Sequence, residues 1–154
     1  MIPKIKKVLY ATDLSESAKH AFGYAIAVAR SNEAKISIIN VHEKLSHNVN
    51  IQMRSEEFSA AKEKLTEKIR SKLEVYGKNE NLDECLFAKL VGNIYVTSGF
   101  PVEKIINQAK AGDYDLIVMG THGHGFLYSS LIGSTAQKMV QQSDIPVMVV
   151  RLQD

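Results

Sequence analysis

The chain has 154 residues, a formal net charge of +2, and a hydrophobic content of 45%. That length suits one domain spanning residues 1–154, and the apolar content excludes global disorder. The near-neutral balance gives no push toward nucleic acid, the single cysteine (Cys85) excludes an internal disulfide or a Cys-rich metal frame, and no apolar run reaches the ~18 residues of a membrane span.

A strand starts almost at once, without the apolar stretch of a signal peptide, so a reducing, cytoplasmic setting is expected. Lys4, Lys6 and Lys7 lead into "KVLYAT" (7–12), a short buried strand. This basic run reads as a solvated strand flank, with a phosphate-contacting patch as the alternative. In "DLSESAKHAFGYAIAVARS", residues Leu14, Ala18, Ala21, Phe22, Ala25, Ile26 and Ala29 share one helical face. Ser15 or Asp13 can cap that helix. "AKISIINVH" (34–42) reads as the second strand, and a polar loop over 43–54 comes next. That loop either lies over a site or stays disordered. A long charged helix is expected near 52–76, with a stripe of Phe58, Ala61, Leu65, Ile69 and Leu73, then a turn from Gly77 to Leu82.

"LVGNIYVTSG" (90–99) contains the third strand. Pro101 suits a helix start, Val102, Ile105, Ile106 and Ala109 form the buried face, and Gly112 ends it. "YDLIVMG" is the fourth strand, a helix carries Ala136, Met139 and Val140, and "VMVVR" is the last strand. The order βαβαβαβαβ demands parallel strands with right-handed crossovers, giving a three-layer α/β/α sandwich around a five-stranded parallel sheet.

The stretch "MGTHGHGFLYSSLIGSTA" (119–136) leaves the fourth strand and enters a helix. Gly120 and Gly123 would let a backbone approach a bulky ligand, and Gly133 would admit a phosphate to the helix N-terminus. Ser134 and Thr135 add hydroxyl donors there. A plain tight turn is the competing explanation. Two other phosphate motifs fail: there is no G-x-x-x-x-G-K-[ST], and Tyr128 stands where a G-x-G-x-x-G counted from Gly123 needs glycine.

On these residues the chain resembles a universal stress protein domain over nearly its whole length. "KVLYATDLSESAKHAFGYAIAVA", "GFPVEKIINQAKAGDYDLIVMGTHGHG" and "LIGSTAQKMVQQSDIPVMVVR" carry the resemblance. The family's ATP-binding subgroup is marked by G-x2-G-x9-G-[ST], matched here at Gly120, Gly123, Gly133 and Ser134. The resemblance implies a Rossmann-like fold of the adenine nucleotide alpha hydrolase-like type, with strand order 3-2-1-4-5. It also implies a site for ATP with Mg²⁺. Ala11, Thr12 and Asp13 would lie at the end of the first strand, with Asp13 near the nucleotide. The backbone of Val41 would meet adenine. Met119, Gly120, Thr121, His122 and Gly123 would flank ribose and phosphates, and Gly133, Ser134, Thr135 and Ala136 would hold the phosphate tail. Ala11 stands where many members have proline, and Thr135 where an apolar residue is common.

Asp13 reads as a ligand residue, a helix cap, or both. His122 and His124 suit ligand contact or solvent better than a metal site. Phe126, Leu127 and Tyr128 either pack under the loop or cover a ligand. The apolar terminal strand, 146–151, is an edge expected to pair with a second copy, and the resemblance also points to a homodimer there. Phosphoryl transfer needs charge neutralisation and a positioned nucleophile, and no such set is evident. The expected function is therefore ATP-dependent regulation in a stress response, with little or no fast catalysis. Slow ATP hydrolysis and a nucleotide-independent protein-interaction module are the alternatives.

Overall fold

The computed structural model describes residues 1–42, 55–121 and 132–151. Five parallel strands, β1 (Lys7–Ala11), β2 (Lys35–His42), β3 (Val91–Ser98), β4 (Leu116–Gly120) and β5 (Val147–Val150), form one sheet in the order β3-β2-β1-β4-β5. Register runs Val8↔Ile36 on one side of β1 and Val8↔Leu116 on the other. The helices are α1 (Glu16–Asn32), α2 (Ser55–Asn79), α3 (Glu84–Leu90), α4 (Pro101–Ala111) and α5 (Ser134–Gln142). The expected fold class and strand order are both present.

Side-chain parity sorts the core into two layers. Val8, Tyr10, Ile36, Ile38, Leu116 and Val118 pack with α1, α2 and α3. Leu9, Ala11, Ile39, Ile117 and Met119 pack with α4 and α5. Helix α1 buries the face read from its sequence: Ala18, Ala21, Phe22, Ala25 and Ala29 are all buried. Ser15 is its N-cap, and the Asp13 carboxylate accepts from the Ser15 N–H just before it.

Four details differ from the sequence reading. Between β2 and β3 lie two helices rather than one. The short α3 buries only Phe87 and Leu90, too brief a pattern to register as a period, and Asp83 caps it. Helix α2 runs on through Gly77 to Asn79 instead of turning there. Leu82 explains why: its Cδ2 lies 3.2 Å from where a Cβ on Gly77 would stand, so the missing side chain admits a packing neighbour. Along α2, Ile69 and Leu73 are fully buried and Leu65 packs against the core, while Ala61 is exposed. On α5, Ala136 and Met139 are buried but Val140 stays 58% exposed.

The basic flank of β1 has a structural role. Lys6 Nζ donates to the Asn32 carbonyl at 2.7 Å, and Lys7 Nζ donates to the Gly112 carbonyl. These carbonyls, of the last residue of α1 and the C-cap of α4, lie where a cation meets open acceptors and the negative end of the dipole. Asp115 Oδ2 accepts from the backbone N–H groups of both lysines.

Phe22 centres the α1 layer, 5.1 Å from Tyr10 and 6.4 Å from Phe87 between ring centroids. Phe22→Ala is expected to cost about 3–5 kcal/mol in urea unfolding. Val140→Ala should stay within about 0.5 kcal/mol. Burial pushes the Tyr114 phenol up to about 12 and raises that of Tyr10 as well. Unfolded phenols ionise near ~10. Stability is therefore expected to fall as pH rises from that value through the folded pKa of Tyr114, and Tyr114→Phe should flatten the decline in alkaline unfolding curves.

Candidate functional site

The sheet order reverses between β1 and β4, and ligands in such folds bind beyond the strand carboxyl ends at that point. A cavity of about 530 Å³ lies there. Its walls come from the ends of β1, β2 and β4 and from the starts of α1, α4 and α5. That volume falls within the range of small-molecule sites.

The lining has two characters. Ile39, Val41, Pro101, Ile105 and Met119 make an apolar wall. Thr12, Asp13, Thr121, Ser134 and Thr135 make a polar one. No lysine or arginine is among the described lining residues. Among the described residues there is also no group of three or more His, Cys, Asp and Glu side chains able to hold a metal.

Ten of the sequence candidates converge on this cavity: Ala11, Thr12, Asp13, Val41, Met119, Gly120, Thr121, Gly133, Ser134 and Thr135. Ala136 does not line it; its side chain packs in the core beside Met139. His122 and Gly123 lie outside the described residues, as do His124, Phe126, Leu127, Tyr128 and the 43–54 segment.

The starts of the helices are not alike. Ser15 caps α1 and Asp83 caps α3 with side-chain oxygens. Helix α4 opens with Pro101, which has no N–H to satisfy, and carries Glu103 in its first turn. Helix α5 begins after Gly133, with no side-chain cap and no acidic residue in its first turn. Among the described residues no side chain caps its N-terminal N–H groups, which carry the positive end of the helix dipole. The Gly133 N–H donates to the Thr121 carbonyl at 2.8 Å, tying this helix start to the end of β4. The residues present therefore suit an anionic group at α5 and a flat apolar group against Ile39, Val41 and Met119.

The β1–α1 turn, which also lines the cavity, is built from local hydrogen bonds. Thr12 Oγ1 accepts from the Leu14 N–H and Asp13 Oδ1 from the Ser15 N–H, both at 2.9 Å. Leu14 is left-handed at φ 65°, a conformation that costs a branched side chain on the order of 1 kcal/mol. Sequence reading missed Asn40, His42, Pro101, Ile105, Ile39 and Ala18 as lining residues. Asn40 carried a visible signal, the one amide in a largely apolar strand.

Comparison with known proteins agrees with this fold. The family model described as the universal stress protein family matches residues 4–151. The universal stress protein MJ0577 of Methanocaldococcus jannaschii is 31% identical, covering 95% of this chain and 94% of the relative. A solved structure of MJ0577 has a TM-score of 0.71 at 28% identity, covering 99% of both chains. Two more distant structures share the fold. One is a universal stress protein in complex with cAMP, with a TM-score of 0.63 at 19% identity, covering 96% of this chain and 98% of that one. The other, from Archaeoglobus fulgidus in complex with dAMP, has a TM-score of 0.57 at 20% identity, covering 95% and 97%. Family match, relative and architecture agree: the chain belongs to the universal stress protein family.

Proposed function

We propose that this chain, working as one domain over residues 1–154, is an ATP-binding regulatory protein of the stress response with little or no fast catalysis. The carrying observation is the start of α5: an acid-free helix end, without a side-chain cap among the described residues, opening into a cavity partly lined by apolar residues. The base lies against Val41, Ile39 and Met119. The sugar meets the Asp13 side, and the phosphates meet Gly133, Ser134 and Thr135. Gly120 to Gly123 flank them, as the G-x2-G-x9-G-[ST] spacing suggests. That the fold occurs with cAMP and dAMP in two distant relatives supports an adenine nucleotide. Mg²⁺ would accompany the triphosphate, held mainly by phosphate oxygens, since no ready-made cation cluster is found among the described residues.

Weak catalysis is a consequence of the same wall. Without lysine or arginine among the described lining residues, little neutralises charge developing in phosphoryl transfer. Neutral donors contribute about 0.5–1.5 kcal/mol each, more to a charged acceptor. Several of them plus a buried base suit micromolar affinity, about −8 kcal/mol. One observation favours slow hydrolysis as a second reading: the half-buried Asp13 lines the cavity, where its carboxylate could order a water.

The reading extends to a cytoplasmic homodimer. Strand β5 is a sheet edge, and Val147, Met148 and Val149 are each only partly buried. Among the described residues no helix is long and apolar enough to cross a membrane.

Native mass spectrometry of protein taken from cells is expected to show bound ATP; bound ADP would favour hydrolysis, and an empty site would count against both. Gly133→Val should fold normally and lose ATP binding at least ~10-fold in calorimetry, because a side chain there fills the phosphate approach. Light scattering over a concentration series is expected to show a dimer at micromolar levels, and Val149→Glu should return it to monomer.

A further inference from the structure

Asn40 is the lone amide of a largely apolar strand, β2. By parity with Ile36 and Ile38 it lies on the α1 side of the sheet, on the opposite face from Ile39 and Val41, where with Ala18 it borders the same cavity. It is 5% exposed. Its Nδ2 donates to the Thr12 carbonyl at 2.8 Å, across 28 positions of sequence. Its Oδ1 is buried and meets no hydrogen-bond partner among the described residues. A buried acceptor without a partner weakens a fold, and leucine has nearly the same shape without that penalty. Packing therefore does not account for the amide; its hold on Thr12 does.

Thr12 is where the chain leaves the sheet, so a hold there governs the turn. The Thr12 N–H donates to the Ile39 carbonyl at 3.0 Å, the last backbone bond before that departure. Beyond it come the left-handed Leu14 and the two side-chain bonds that shape the turn around Asp13.

We propose that Asn40 is a positioning residue: by pinning the Thr12 carbonyl it fixes the turn from Thr12 to Ser15, so that Asp13 meets the nucleotide in one conformation. This rests on the nucleotide reading above. Asn40 acts through Asp13 and holds no part of the nucleotide itself.

The test is a cycle of Asn40→Leu, Asp13→Ala and the double variant, with ATP affinity measured by calorimetry. Each single variant should weaken ATP about 10-fold, the scale of one hydrogen bond to a charged group. The double variant should also lose about 10-fold rather than ~100-fold, because both losses run through one group. Global destabilisation would not produce that coupling, and Asn40→Leu should keep the wild-type urea midpoint. In protein without nucleotide, amide exchange at Leu14 and Ser15 should quicken about 10-fold while β1 and β4 exchange as before. Asn40→Asp, which keeps the shape but as a carboxylate cannot donate, serves as a second variant should Asn40→Leu not fold. Multiplying losses, or unchanged exchange at Leu14 and Ser15, would overturn the proposal while leaving ATP binding in place. A wild-type chain that binds no ATP would overturn the nucleotide reading and this inference together.

Discussion

The structure depends on burying β1 from both sides. Val8, Leu9 and Tyr10 are wholly inaccessible, and alternate residues belong to opposite layers. A central parallel strand can be covered this way only if helices lie on both faces, which forces the chain to wind outward from it in two directions. The winding leaves a gap where β1 and β4 part company. The cavity is thus a consequence of satisfying the core, and its position owes nothing to the residues that line it.

Lining residues decide what the gap accepts. The contrast among helix starts is informative because one fold applies two policies. At α1 and α3, Ser15 and Asp83 close the helix start with their own oxygens. At α5 the chain supplies glycine and two hydroxyls and withholds acid. Among the described lining residues there is no lysine or arginine, a composition that bears on the difference between holding a phosphate chain and cleaving one. Binding can be assembled from many weak neutral donors, whereas speeding phosphoryl transfer requires concentrated positive charge.

Much of this was legible in the sequence alone. Apolar strand runs such as "KVLYA" and the helical spacing of Ala18, Ala21, Phe22 and Ala25 carry their own periods, so the layers could be read from them. Glycines 120 and 133 and Asp13 were readable because turns and helix ends have composition. Helix α3 was not, since two buried residues, Phe87 and Leu90, define no period. Gly77 misled because its role as a seat for Leu82 depends on a contact that folds back from the adjoining turn. Ile105 and Pro101 looked like ordinary helix residues; their place at the cavity depends on where α4 docks, which no local pattern encodes. Ala136, adjacent to two residues that do reach the cavity, turns inward because a helix rotates each successive side chain by about 100°.

The lysine contacts at the other rim give the molecule a polarity. There, ammonium groups of Lys6 and Lys7 plug the outgoing ends of α1 and α4, and Asp115 fastens the strand entrance. The opposite rim has a helix start without a side-chain cap among the described residues, and a left-handed leucine. Such an arrangement should grade resistance to local unfolding along the strand direction, because one end is cinched by the chain's own charges. Small movements at the cavity end would then leave the cinched one undisturbed.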